Sequence, residues 1–155
     1  MLTFKSTIAA SKIPMAGKGL FTQEAISKGQ VLVYPNQEHT TYSKEELANF
    51  PEDSIEQVSA VRWFEKTFSV DPDWSEESHL NHSFTPNALW HLGFVFALKD
   101  IPAGGEITID YSYLLDQGTK LDFNDSVTGR PVEGTSFPEK MARTCEQLAA
   151  LYRQL

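Results

Sequence analysis

The chain has 155 residues, 41% hydrophobic and 22% charged, which suits a single soluble globular domain large enough to bury a core. A formal net charge of −8 argues against phosphate-backbone binding and favours encounter with basic partners, lysine-rich tails among them. One cysteine, Cys145, excludes an internal disulfide and a cysteine-rich zinc site. With no charged-then-apolar leader and no membrane-length apolar run, the expected location is intracellular, cytoplasmic or nuclear.

Near the N-terminus, Gly17-Lys18-Gly19-Leu20-Phe21 reads either as an ordinary tight turn or as a loop whose main chain can approach a ligand closely. An internal echo follows. Phe21-x4-Ile26-x2-Gly29 and Phe96-x4-Ile101-x2-Gly104 share spacing, and each leads into a β-branched run ending near a tyrosine, Tyr34 and Tyr111. Each unit predicts a strand, a turn and a returning strand, hence a mainly β architecture of short sheets. Between them, Ser43 to Glu46 forms a capping box that opens a helix, and Pro51 ends or interrupts it. Residues 60 to 70 are aromatic and β-branched enough for one strand, broken by Pro72.

Asn81-His82-Ser83-Phe84-Thr85-Pro86-Asn87 suits neither a helix nor a central strand. Asn, Ser and Thr side chains compete for main-chain hydrogen bonds, and Pro86 has no N–H to donate. Such a segment is held in an irregular shape by its own side chains and can present functional groups. In Gly105-Glu106-Ile107-Thr108-Ile109-Asp110-Tyr111, Ile107, Ile109 and Tyr111 alternate with Thr108 and Asp110, predicting a strand that delivers a tyrosine, with Tyr113 on the same face. Half-buried strand aromatics would show the same pattern. Residues 116 to 135 carry three glycines, a proline and many small polar residues without periodicity, predicting a long functional or disordered loop. Ser136 to Glu139 is a second capping box. Met141, Cys145, Leu148, Tyr152 and Leu155 then predict an amphipathic helix whose stripe covers either the same chain or a second copy in a homodimer. His79, His82 and His91 lie close in sequence, but no cysteine or carboxylate pattern completes a zinc site, so no metal is expected.

The order G-x-G, then N-H-S-x-x-P-N, then G-E-x-x-x-D-Y resembles the SET domain of protein lysine methyltransferases over roughly residues 13 to 113. The resemblance implies short curved sheets with a knot-like C-terminal threading, and a SET domain over 1–115 followed by a loop and helix over 116–155. It implies transfer of a methyl group from S-adenosylmethionine to a lysine amine of a protein, with a basic histone-like tail and chromatin as the natural setting. It further implies cofactor contacts from Lys18, Gly19, Leu20, Asn81, His82 and Tyr111, with Tyr111 catalytic. Tyr34, Trp90, Ile109 and Tyr113 are the implied walls of the substrate channel, and the middle region is the variable insert that shapes one wall. The chemistry needs no metal. It needs a lysine, which titrates at about 10.4 when free, made neutral by a narrow apolar channel, and a hydroxyl that aligns the reacting groups.

Three departures stand out. Phe84 replaces a frequent cysteine after N-H-S. The cysteine cluster that binds zinc beyond the SET domain is absent, leaving the 116–135 loop and terminal helix to replace it, with Phe123 or Phe137 as candidate lids. Ile109 sits where many members have Phe or Tyr controlling how many methyl groups are added, and Trp90 is placed to fill that space. The rival expectation is a catalytically silent SET-like binding module, against which the joint presence of Asn81, His82 and Tyr111 argues.

Overall fold

Short β-branched runs punctuated by glycine and proline cannot build one large sheet. In the computed structural model, which describes residues 1–35 and 40–155, they build several small ones. The strands are β1 (Ser6–Ala10), β2 (Lys18–Thr22), β3 (Val31–Val33), β4 (Thr40–Ser43), β5 (Val61–Phe64), β6 (Thr67–Val70), β7 (Asn81–His82), β8 (Ala88–His91), β9 (Phe94–Ala97), β10 (Thr108–Ile109), β11 (Lys120–Asn124) and β12 (Pro131–Glu133). The helices are α1 (Lys44–Leu47), α2 (Ile55–Val58) and α3 (Phe137–Arg153). Antiparallel pairing joins β1 to β2, β3 to β9 to β8, β4 to β6 to β5, and β11 to β12, whereas β7 and β10 run parallel.

The internal echo has a structural counterpart, though not as two hairpins. The strands of one unit pair with those of the other. Ile26 and Ile101 exchange N–H···O bonds of 2.9 Å in both directions. On one side Phe21 bridges Glu106, and on the other Val31 pairs with Phe96. The hydrogen bonds repeat in the same sense. Thr22 N–H donates to Gly105 O (3.0 Å) as Ala97 N–H donates to Gln30 O (2.9 Å), and Gly104 and Gly29 return bonds of 2.8 Å to Thr22 and Ala97. Gly29 and Gly104 take the positive φ of 83° and 74° that these corners require. The eight residues from 23 to 30 between β2 and β3 are too many for a tight hairpin, so each unit turns a corner instead of folding back.

Leu20, Ile26, Leu32, Leu89, Trp90, Val95, Ile101, Ile107, Ile109 and Tyr113 fill the main core around these corners. Leu47, Phe68 and Val70 form a satellite core beneath α1 and the β4–β6–β5 sheet. Three sequence expectations change. The run from 60 to 70 is a hairpin, because polar Glu65-Lys66 interrupts the apolar alternation and Glu65 adopts a φ of 46°. Residues 116 to 135 contain the β11–β12 hairpin. The strand after Glu106 is short, and Tyr111–Tyr113 form a 3-10 turn capped by Asp110, whose carboxylate accepts Ser112 N–H at 2.9 Å.

The Ser43–Glu46 capping box forms with both reciprocal bonds, and Ser136 caps α3 through Glu139 N–H. The buried stripe of α3, however, is Lys140, Thr144 and Leu151, with Cys145, Tyr152 and Leu155 exposed. The helix packs on β8, where polar partners are provided: Thr144 Oγ1 donates to Lys140 O (2.8 Å) and meets His91 Nδ1 at 2.8 Å. Tyr152 keeps a role at the edge, donating its hydroxyl to Gly29 O at 2.9 Å.

Candidate active site

The irregular Asn81–Asn87 segment is fixed by its own polar groups. Ser83 Oγ accepts Thr85 N–H (3.0 Å), while the Asn87 amide donates to Glu106 O (2.8 Å) and accepts Thr108 N–H (2.8 Å). Asn87 thereby holds this segment beside β10, and Ser83 N–H adds a bond of 2.9 Å to Ile109 O. Parallel pairing of β7 with β10 sets Asn81 beside Thr108 and His82 beside Ile109.

Glu106 organises the glycine loop. Its buried carboxylate accepts Ser11 Oγ–H (2.6 Å), Lys12 N–H (2.7 Å) and the Asn81 amide (2.9 Å). The Asn81 amide also donates to Lys18 O at 2.9 Å. A Cβ on Gly19 would lie 2.3 Å from Glu106 Oε1 and 3.0 Å from Asn81 Nδ2, so glycine is demanded there by the chain's own side chains. Gly17 differs: its φ is 71° and, among the described residues, nothing lies within 4 Å of its Cβ position, which leaves its main chain open on that side. Lys18 is exposed, whereas the Leu20 side chain is wholly buried and its carbonyl accepts Ile107 N–H at 2.8 Å.

His82 is buried, with Nδ1 accepting Tyr111 N–H at 3.1 Å. The remaining ring proton therefore belongs on Nε2, which has no hydrogen-bond partner among the described residues and faces Asp125 Oδ1 at 3.6 Å. Burial pushes the His82 pKa down; Asp110 and Asp125 oppose that and Arg130 adds to it. The Phe84 ring stands edge-on to His82 at 4.5 Å, and the exposed Phe123 ring lies 6.5 Å away. Phe137 instead packs on Phe64 at 5.4 Å. The Tyr111 hydroxyl donates to Leu80 O at 2.6 Å, and burial pushes its pKa up to about 12, so at neutral pH it is a phenol and a donor.

A cavity of about 100 Å³ opens beside this cluster, lined by Phe84, Trp90, Asp110, Tyr113 and Gln147 among others. Gln147, from α3, donates to the Tyr113 hydroxyl at 3.0 Å, and the Lys140 ammonium lies 4.1 Å from the centre of the Trp90 ring. Burial, with Asp110 second, raises the Tyr113 pKa. The cavity thus brings together Trp90 and Tyr113 but not the other two expected walls. Ile109 is buried in the core, and Tyr34 is 39% exposed at the end of β3, its N–H on Met1 O. Among the described residues, the middle region contributes no lining residue here. It borders a second, more open groove of about 270 Å³ whose rim carries the Lys44–Asp116 ion pair.

Among the described residues, no cluster of three or more His, Cys, Asp or Glu side chains could hold a metal ion, and no helix is long and apolar enough to cross a membrane. His79, His82 and His91 face different partners: Ser75 O, Tyr111 N–H and Thr144. Sequence reasoning gave no role to Glu106, Asp125, Lys140 or Gln147. Glu106 stands as a fixed letter of the G-E-x-x-x-D-Y pattern, and Asp125 carried a local signal, since Asp-x-x-Thr-Gly is a turn whose carboxylate caps its own main chain.

A family model described as the SET domain matches residues 17–112. Among solved structures, the chain is similar to one from a humanized mutant of the Chaetomium thermophilum Polycomb Repressive Complex 2 bound to an inhibitor. The identity is 17% and the TM-score 0.58, over 86% of this chain and 20% of that one, so this chain spans about a fifth of its length. It is also similar to a Plasmodium falciparum protein described as a candidate histone methyltransferase, at 21% identity and a TM-score of 0.50, over 70% of this chain and 93% of that one. Likeness at these identities is likeness of fold. No curated protein matches the chain.

Proposed function

Because the chain belongs to the SET-domain family and has its fold of short sheets, we propose that it transfers a methyl group from S-adenosylmethionine to a lysine side-chain amine of a protein. A basic, histone-like tail is the substrate class that a net charge of −8 suits. The observation that carries the reading is the cavity between Phe84, Trp90 and Tyr113, with Asp110 on its wall and the partly buried Tyr111 next in sequence. On this reading residues 1–115 are the SET domain. Residues 116–155 stand in for a zinc-bound segment, and the C-terminal part is threaded through an earlier loop.

The residues present fit the cofactor mainly through main chain. The open face of Gly17 offers close approach, and Glu106 holds that loop. The Asn81 amide is already engaged, so what Asn81 offers a ligand is its carbonyl oxygen. His82 acts by orientation, since its bonded nitrogen faces Tyr111. When bound, the cofactor supplies an electrophilic methyl group on a sulfonium.

Asp110 draws the substrate ammonium to the cavity, where the loss of water disfavours the charge, so the proton leaves to solvent before transfer. Trp90 cannot swing away, because Lys140 covers its face; this limits the room for added methyl groups. Tyr111, held as a phenol, aligns by hydrogen bonding and takes no proton.

A second reading, the silent binding module, is favoured by one fact: the Tyr111 hydroxyl already donates to Leu80 O. Calorimetry with S-adenosylmethionine, followed by transfer of labelled methyl to histones and whole-cell lysate, separates the two. Enzyme requires chelator-resistant binding and labelled lysine. Binding without transfer supports the silent module, and chelator-sensitive binding or none overturns the cofactor assignment.

A further inference from the structure

We propose that Asp125, in the turn of the β11–β12 hairpin, is a positioning residue that sets Tyr111 through His82. The inference rests on the proposed role of Tyr111. Asp125 lies 41 residues from Phe84, yet its carboxylate is only 3% exposed and is shared between two tasks. Oδ2 builds the turn, accepting Val127 N–H (3.2 Å), Thr128 N–H (2.6 Å) and Thr128 Oγ1–H (2.7 Å). Oδ1 turns away from the hairpin, accepts Phe84 N–H (3.1 Å) and faces His82 Nε2 at 3.6 Å.

A turn carboxylate needs only the first task and would ordinarily sit in solvent. The second joins the hairpin to the Asn81–Asn87 segment, and Arg130 reinforces the joint by lying 4.2 Å over the Phe84 ring. His82 passes the constraint on. Its Nδ1 accepts Tyr111 N–H, so its proton lies on Nε2, where a buried carboxylate fixes the ring in that tautomer and orientation. The groups facing His82 are Asp110, 4.0 Å from Nδ1, together with Asp125 and Arg130.

The Nε2–H has no bond at 3.6 Å, and a closing of about 0.6 Å would give one of ordinary length. The orphaned donor marks a contact that tightens when the site fills, as catalytic hydrogen bonds commonly do. Seating of the hairpin is then read directly at the Tyr111 main chain.

Asp125→Asn separates the two tasks. Its oxygen stays with the three turn donors, which places its NH2 against the Phe84 and His82 donors. Nitrogen NMR of the free protein should show His82 protonated on Nε2 and bare on Nδ1. In Asp125→Asn the Nδ1 signal should move toward the protonated position, and Tyr111 amide exchange should quicken about tenfold. Thr128→Val, which weakens only the turn, should change neither. Methyl transfer by Asp125→Asn should fall about tenfold in kcat, with cofactor affinity altered by less than about twofold.

A wild-type His82 protonated on Nδ1 overturns the proposal whatever the variants do. So does an unchanged His82 spectrum in Asp125→Asn, or in Asp125→Ser should the first variant not fold. So does Thr128→Val reproducing the full effect. Because the NMR readings need no substrate, they stand apart from any failure of methyl transfer itself.

Discussion

Replacing Lys140 by methionine should make the protein more stable at neutral pH, an unusual outcome for a substitution at a fully buried site. Lys140 has 0% exposure, and its neighbours are the Arg62 carbonyl at 3.2 Å, the Trp90 face at 4.1 Å and the Phe137 ring at 5.7 Å. Burial first, then the Arg62 charge, lowers its pKa from 10.5 to about 7. At about 1.36 kcal/mol per pH unit, holding the amine there costs roughly 4–5 kcal/mol. Methionine keeps the volume and removes that cost, but it forfeits the bond to Arg62 O, worth about 1–3 kcal/mol once the acceptor is stranded. The net gain at about pH 7 should be about 2 kcal/mol, or roughly 4–8 °C in Tm for a chain of this size.

The sign of the pH dependence follows from the lowered pKa. Between about 7 and 10.4 the unfolded chain binds a proton that the folded chain has released, so wild-type stability rises with pH across that window. Urea unfolding of both proteins from about pH 6 to 10 should show the Lys140→Met advantage full at the acid end and gone by about 10. Parallel curves, or a variant less stable at about pH 6, would refute the reasoning and show that the ammonium on Trp90 is net stabilising.

Other outcomes follow from the same contacts. Tyr111→Phe should cut turnover far more than cofactor affinity, at a stability cost of about 1–3 kcal/mol for the stranded Leu80 carbonyl; full activity on the true substrate would make Tyr111 merely structural. Gly19→Ala must displace Glu106 and so release Ser11 and Lys12, and calorimetry should find cofactor binding lost. Gly17→Ala meets no atom and should cost only about 1 kcal/mol for its positive φ, with binding retained. Truncation after Tyr113 should bare Trp90 and Tyr113, raise binding of a hydrophobic dye, and weaken cofactor retention even where circular dichroism shows a folded protein.

What was legible in the sequence was what neighbouring residues decide. The Ser43–Glu46 capping box, the Ser136 cap and the polar self-bracing of Asn81–Asn87 follow from side chains competing for nearby main chain, and the glycine turns follow from the positive φ that glycine alone takes freely. The motif order indicated the family. What stayed hidden depends on residues far apart. Apolar spacing in α3 pointed to Met141 and Cys145, whereas Lys140 and Thr144 are buried because β8 brings Trp90 and His91 to meet them. Gly19 read as room for a ligand until Glu106, distant in sequence, was seen to fill that room. Asp125 read as part of a loop because its second partner, Phe84, lies in the distant Asn81–Asn87 segment.

The paired corners at Ile26 and Ile101 also bear on how the chain folds and how freely it varies in length. The bonds between them close loops of 67 (Gln30 to Ala97) to 83 (Thr22 to Gly105) residues, so neither the glycine loop nor the strand carrying Ile109 can find its place until both ends meet. That predicts slow, late assembly of the site, after the local β4–β6–β5 sheet has formed. Once the ends have met, the segment between them is nearly free to lengthen, since doubling a closed loop costs only about 0.6 kcal/mol. Insertions between β3 and β7 should therefore be tolerated by the fold, and a single residue added within either corner should not.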